Sequence, residues 1–338
     1  MTEILLTIFF ISVLLFFLGS GIWVALSMIG VSAIGMMLFT SRPVGDAMAT
    51  TIWGTSSSWT LTALPLFVWM GEILFRTKLS ENLFKGLSPW MQKLPGGLIH
   101  VNVVGCALFA AISGSSAATV ATVGKMSIPE LRKRKYPEKI LLGSLAGSGT
   151  LGLLIPPSII LIIYGVAVQE SIAKLFIAGI IPGIMIALIF MSYVIIWSLI
   201  NKKEMPKILE EYSFLEKVKR SKQLLPVILL ILAVIGSIYT GIATATEAAS
   251  LGVVGALILS YFQKSLTLET FKSSLLGATK TSCMIAFILA GSTFLSLAMG
   301  FTGLPRNLAI WIQNMDLSPY VLIFVLMIFY IILGMFLD

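Results

Sequence analysis

Apolar positions come in long blocks along this chain, each bounded by a short polar or basic segment. About 20 apolar residues cross the hydrocarbon layer of a bilayer as one helix. That rule predicts spans at 2–18, 22–39, 51–75, 140–165, 171–200, 224–240, 247–263 and 281–300. Two segments break the pattern. Residues 97–124 are apolar at both ends but small and polar in the middle, and residues 319–338 stay apolar up to Asp338.

Composition agrees with the blocks. Hydrophobic residues make up 57% and charged residues 11% of the chain, and the mean hydropathy is +1.00. A soluble domain carries about 25% charged residues. The reading is an all-α polytopic membrane protein in a lipid bilayer. The net charge of +8 does not point to nucleic acid, because the basic residues sit between apolar runs. The N-terminus has no basic n-region and no small-residue cleavage site, so the first run is read as a span and not as a signal peptide. Cys106 and Cys283 lie far apart in apolar runs and read as core thiols.

All but three of the 23 Lys and Arg residues fall in segments 76–93, 125–139, 202–222 and 264–280; the exceptions are Arg42, Lys174 and Arg306. Lys and Arg accumulate on the cytoplasmic side of a membrane protein. The N-terminus is then periplasmic, and both flanks of 97–124 are cytoplasmic. That segment has 28 residues, whereas two full crossings need about 40. It therefore reads as a re-entrant helical hairpin with Ser113–Thr119 at its tip.

The chain repeats itself weakly. Phe67–Gly71, followed by Asn82-Leu83, matches Phe287–Gly291, followed by Asn307-Leu308, at offsets of 220 and 225. The first arm carries four basic residues and Glu81; the second carries only Arg306 and Asp316. The copies thus read as inverted-topology repeats, an arrangement that places a substrate site between halves. Residues 1–200 form the first repeat, with a cytoplasmic arm (76–96), the hairpin (97–124), a broken span (140–165) and a span (171–200). Residues 201–223 form an amphipathic cytoplasmic linker, with Ile208, Leu209, Tyr212, Leu215 and Val218 on one face. Residues 224–338 form the second, inverted repeat. Ser113 maps onto Asp338, so the second repeat is expected to be incomplete and the whole protein to have about 425 residues.

Candidate chemistry clusters at the hairpin. Ser113, Ser115, Ser116 and Thr119 offer hydroxyls, and Gly114 lets the backbone turn. Small polar residues at membrane depth face protein or a water-filled cavity; the alternative is a small-residue packing interface. Span 140–165 holds Ser148 and Gly149, then Pro156, Pro157 and Ser158. Adjacent prolines remove two backbone donors, which makes either a broken span that lines an ion site or a plain kink. Thr244 to Glu247 has capping-box spacing. Glu72 and Arg76 read as a local ion pair. His100, the single histidine, sits near an interface and has no metal-ligand companions.

Taken together, Ser113–Thr119, Ile128-Pro129-Glu130, Leu151–Ser158, Tyr164-Gly165, Ala178-Gly179, Pro182-Gly183, Thr244–Ala249 and Gly334–Asp338 resemble the large membrane subunit of tripartite ATP-independent periplasmic (TRAP) transporters. The resemblance covers essentially the whole chain. It implies an elevator-type secondary transporter of the bacterial inner membrane that uses Na⁺ to drive uptake of an organic acid of the sialic acid or dicarboxylate type. The implied partners are a small four-span membrane subunit and a periplasmic substrate-binding protein. The resemblance also implies Na⁺ at Ser113, Ser115 and Ser116, with the Pro156–Ser158 break beside them and Asp338 at the second tip. No other cofactor is implied. A single-component dicarboxylate symporter is the nearest alternative. An intramembrane hydrolase is disfavoured, because the chain lacks His-Glu-x-x-His and Gly-x-Ser-x-Gly.

Overall fold

The computed structural model describes residues 3–77, 79–206, 212–222 and 224–336. Asp338, Ile208, Leu209, Lys78 and Lys207 lie outside the described residues. Among the described residues the chain is helical, without strands. In chain order the helices begin with α1 (Glu3–Gly19), α2 (Val24–Phe39), α3 (Val44–Ser56), α4 (Ala63–Phe75) and α5 (Leu79–Met91). Next come α6 (Ile99–Ser113), α7 (Ser116–Lys133), α8 (Glu138–Gly149), α9 (Ile159–Val168) and α10 (Ile172–Ile200). Then follow α11 (Phe214–Ser221), α12 (Leu225–Tyr239), α13 (Ala245–Phe262), α14 (Leu268–Phe301), α15 (Leu304–Gln313) and α16 (Pro319–Phe336).

Three of these, α10, α13 and α14, are each long and apolar enough to cross a membrane alone. The predicted spans 2–18, 22–39 and 224–240 fall on helices of 17, 16 and 15 residues. The predicted spans 51–75 and 140–165 are both interrupted, the first between α3 and α4 and the second between α8 and α9.

Two predicted boundaries move for the same reason. The hairpin's second helix, α7, runs to Lys133 and not to residue 124, and α14 starts at Leu268 and not at 281. Lys125, Lys272 and Lys280 mark where a helix leaves an apolar environment, but Lys is itself a good helix former and does not end one. Cys283 corrects a second expectation: it is exposed, whereas Cys106 is buried.

The helices divide into two compact units. One holds α1, α2, α3, α15, α16 and the part of α14 from Phe287 onward. Its interior is built on Met36, Phe294 and Ala298, against which Ile29, Val44 and Met48 pack. The other spans residues 57–286 and holds every helix of the predicted hairpin and broken span. In it α6, α7 and α8 pack together, and α4 lies along α13. Val103, Ala110 and Leu151 form a buried cluster that Ile155, Ile186 and Phe190 close. A second cluster joins Ile99, Ile140 and Val194 near the open end of the hairpin.

Local sequence explains the ends of these elements. Thr244 accepts the Glu247 N–H at 3.3 Å while Glu247 accepts the Thr244 N–H at 2.8 Å, so the predicted capping box opens α13. Ser213 and Glu216 form a second such box at α11. Glu72 and Arg76 are ion-paired on α4, and Arg76 also donates to the Ser273 hydroxyl at 3.0 Å. On α11, Leu215 is 80% exposed.

Candidate functional site: a hairpin turn docked in a broken helix

Residue Gly114 ends α6. Its φ of 60° is left-handed, and its N–H donates to the Ala110 carbonyl at 3.0 Å. Glycine adopts this conformation without the steric cost that a Cβ brings. Ser115 then starts α7 as its N-cap, with the Ala118 N–H pointing at its hydroxyl at 3.4 Å. The predicted tip is therefore a two-residue reversal between helices.

Hydroxyl bookkeeping orients the network at the tip. The Thr119 Oγ1 lies 2.7 Å from the Ser115 carbonyl, which can only accept, so Thr119 donates there. Each hydroxyl carries one proton. In that arrangement Ser113 donates to Thr119 at 3.0 Å; the Ser113 hydroxyl also lies 3.4 Å from the Ser115 carbonyl and 3.4 Å from the Ser115 N–H that points at it. Ser113 is buried, and Thr119 is fully buried. The chain Ser113 to Thr119 to the Ser115 carbonyl locks the reversal, while Ser115 and Ser116 stay half-buried at its surface.

The break in the other helix is equally specific. α8 ends at Gly149 and tightens into a 3-10 turn over Thr150–Leu153. Pro156 and Pro157, joined by a cis peptide bond, follow, and neither has an N–H to continue a helix. Ser158 restarts the helix as the N-cap of α9. Its hydroxyl donates to the Leu153 carbonyl at 2.5 Å, and the Leu161 N–H points back at it at 3.5 Å. Ser158 is fully buried.

These two features meet. The Ile159 N–H donates to the Gly114 carbonyl at 3.2 Å. A Cβ on Gly114 would lie 2.7 Å from the Pro157 carbonyl oxygen. A Cβ on Gly152 would lie 2.9 Å from the carbonyl carbon and oxygen of Ser115. Gly149 faces the Val120 side chain, with the Ser116 carbonyl beyond it. Residues 113–116 and 149–159 thus form one junction. Ser148 is buried, but its hydroxyl donates to the Ser144 carbonyl at 2.5 Å within α8 and does not turn toward the tip.

The junction carries no ionisable side chain: Ser113–Thr119 and Ser148–Ser158 hold none. Its electrostatics come from the helix ends. The N-termini of α7 and α9 bring positive partial charge, and the ends of α6 and α8 bring carbonyl oxygens. Such a site can hold a carboxylate at the N–H groups and a hard cation at carbonyl and hydroxyl oxygens. Among the described residues no group of three or more His, Cys, Asp and Glu could hold a metal ion.

Some contributors were not singled out as site residues. Gly152 lies one turn beyond Ser148 in a run of small residues. On α10, a Cβ on Gly179 would lie 2.7 Å from the Leu154 carbonyl, so this small position lets the break lie against the helix. Asn102, a lone amide in an apolar run, is fully buried and donates to the Leu141 carbonyl at 3.2 Å and the Ser144 hydroxyl at 3.0 Å. At the open end of the hairpin, the Leu98 N–H donates to the Tyr136 hydroxyl at 3.0 Å. Burial pushes the Tyr136 phenol up, against the opposing pull of that N–H and of Arg134. His100 is fully buried, and its Nε2 lies 2.8 Å from the Pro95 carbonyl. A carbonyl can only accept, so the proton is on Nε2.

Comparison with known proteins places the whole chain. Residues 9–338 match the family Tripartite ATP-independent periplasmic transporter, DctM component. The chain is 33% identical over 307 residues to the C4-dicarboxylate TRAP transporter large permease protein DctM of Pseudomonas aeruginosa, covering 90% of this chain and 71% of that one. The sialic acid TRAP transporter large permease protein SiaM of Vibrio cholerae is 32% identical, with 95% and 74% covered. The corresponding C4-dicarboxylate protein of Rhodobacter capsulatus is 32% identical, with 89% and 71% covered. These relatives are transporter permease subunits and not enzymes. The chain belongs to the DctM-component family of tripartite ATP-independent periplasmic transporters, as a multi-pass membrane subunit.

Proposed function

We propose that this chain is the large permease subunit of a Na⁺-coupled transporter that takes up an organic acid delivered by a periplasmic binding protein, with a small four-span membrane subunit beside it. The observation that carries the reading is the Ile159 to Gly114 hydrogen bond. It joins two interrupted helices whose ends bring opposite partial charges to one place, as a site for a carboxylate and a cation demands. Na⁺ is then held by oxygens around Ser113, Ser115 and Ser116, and the substrate carboxylate by the N-termini of α7 and α9. The relatives named for C4-dicarboxylates and sialic acid support a carboxylate substrate.

On this reading the basic segments face the cytoplasm, the N-terminus is periplasmic, and α6–α7 enter and leave the inner membrane from inside. The repeated order of an apolar helix followed by a more amphipathic one, α4 then α5 and α14 then α15, supports inverted repeats. The first copy is interrupted at residues 57–58 and the second is continuous. The junction lies wholly within one compact unit, which suits an elevator movement that carries the site as a body.

The test is uptake of radiolabelled succinate or sialic acid into proteoliposomes that hold the permease, its small subunit and the binding protein. An inward Na⁺ gradient should drive uptake where an equal K⁺ gradient does not. The double variant Ser115→Leu/Ser116→Leu should abolish it. Unchanged uptake in that variant refutes the assignment of the tip. Uptake that needs no binding protein favours a single-component symporter.

A further inference from the structure

Helices α6 and α8 run side by side in the same direction. Ile99 shares a buried cluster with Ile140, Asn102 bonds to Ser144, Cys106 lies beside Ser148, and Ala110 shares a cluster with Leu151. Each pair is 41 or 42 residues apart in the chain. The two segments therefore stay in step for about three helical turns, from the mouth of the hairpin to the break.

The rungs of this ladder differ in what they can hold. Apolar side chains attract one another without direction, so the Ile99–Ile140 and Ala110–Leu151 rungs resist separation more than sliding. The Asn102 rung is directional. Its amide donates to the Leu141 carbonyl at 3.2 Å and to the Ser144 hydroxyl at 3.0 Å, and Ser144 donates to that same carbonyl at 3.0 Å. A carbonyl can only accept, so the amide nitrogen and not its oxygen faces α8. Asn102 and Ser144 are both buried. A slide by one residue, about 1.5 Å along the axis, would strand the amide donors away from water.

Register matters because of what lies at the far end of the ladder. The same two helices lead to the tip at Ser113–Ser116 and to the turn that carries Gly152. A Cβ on Gly152 would lie 2.9 Å from the Ser115 carbonyl, so the junction has no slack. The junction itself is a two-residue reversal against a stretch with no regular helix between Leu154 and Ser158. Such segments bend more readily than helices do, so the axial position of the tip is set from the helix bodies.

We propose that Asn102 is a positioning residue for transport. It fixes the register of α6 against α8 and, through it, the placement of the tip oxygens against the break. Its effect on transport rests on the ion site proposed at the junction; its effect on register does not.

The test compares two variants of the permease reconstituted with its small subunit and the binding protein. Asn102→Leu keeps roughly the side-chain volume and removes the amide. Val103→Ala, from the neighbouring buried cluster, is the control for destabilisation alone. Asn102→Leu should raise the apparent KM for Na⁺ about tenfold while Vmax changes by less than about twofold. Val103→Ala should lower the melting temperature and leave that KM unchanged. Electron cryo-microscopy of Asn102→Leu should show α6 displaced along α8 by about 1.5 Å. If Asn102→Leu does not fold, Ser144→Ala, which removes one of the two bonds, should show the same changes at smaller size. An unchanged register, an unchanged KM, or an equal rise of KM in Val103→Ala would each overturn the proposal. A wild type without Na⁺-driven uptake would instead refute the proposed function, and the displacement of α6 would still be read from the structure.

Discussion

The Ile159 N–H donates to the Gly114 carbonyl across 3.2 Å, and this one bond ties the reversal of α6–α7 to the restart of α9. Without it, the first turn of α9 would leave a buried donor unsatisfied beside two prolines. The predictions below follow from how tightly the two backbones meet there.

Gly114→Ala should be destabilising. A non-glycine residue in the left-handed region costs about 1–2 kcal/mol, and the added Cβ would lie 2.7 Å from the Pro157 carbonyl oxygen. Thermal melts in detergent should show the loss, and uptake should fall with it. A variant as stable as wild type would mean that the turn and the break do not touch.

Gly152→Ala separates geometry from stability. Its Cβ would meet the Ser115 backbone at 2.9 Å, so the tip must shift while the two helices stay packed. A displacement of a fraction of an ångström at a binding site is expected to lower uptake about tenfold or more. Binding of the purified chain to its small subunit should not change. Full activity would show that the tip position is not functional.

Thr119→Val keeps the shape of the side chain and removes the relay from Ser113 to the Ser115 carbonyl. The unmet buried groups should cost about 1–3 kcal/mol. Ser113→Ala added to it should cost less than the two single losses summed, because the hydroxyls share one network, while Ser113 keeps its own contacts with the Ser115 backbone. Additive losses in chemical denaturation would contradict the network.

Glu247 is exposed to solvent and bonded to Thr244, so its role is to cap α13. Glu247→Gln should lower the melting temperature slightly and leave the Na⁺ dependence of uptake intact. A changed coupling ratio in Glu247→Gln would make it an ion-handling residue.

Much of this was legible from local chemistry. Gly114 between serines marks a reversal, and Pro156-Pro157 marks a break, because each residue type limits its own backbone. The capping box at Thr244 and the Glu72–Arg76 pair are likewise short-range. Long-range fit was not legible. Nothing near Gly152 in the chain says that Ser115 will lie on it, and nothing near Gly179 says that the Leu154 carbonyl will. Lys125 and Lys272 misled because charge marks a change of environment and not the end of a helix. Cys283 misled because an apolar run in a membrane protein can face outward as readily as inward.

Re-entry of α6–α7 is tested most directly by thiol accessibility. In a Cys283→Ser background, Lys93→Cys and Lys133→Cys place single probes at the two mouths of the hairpin, and both native residues are exposed. A membrane-impermeant maleimide should spare both probes in intact cells and label both once the inner membrane is permeabilised. Labelling of one probe from outside and the other only from inside would mean that the segment crosses the membrane, and the junction would not be the tip of a re-entrant hairpin.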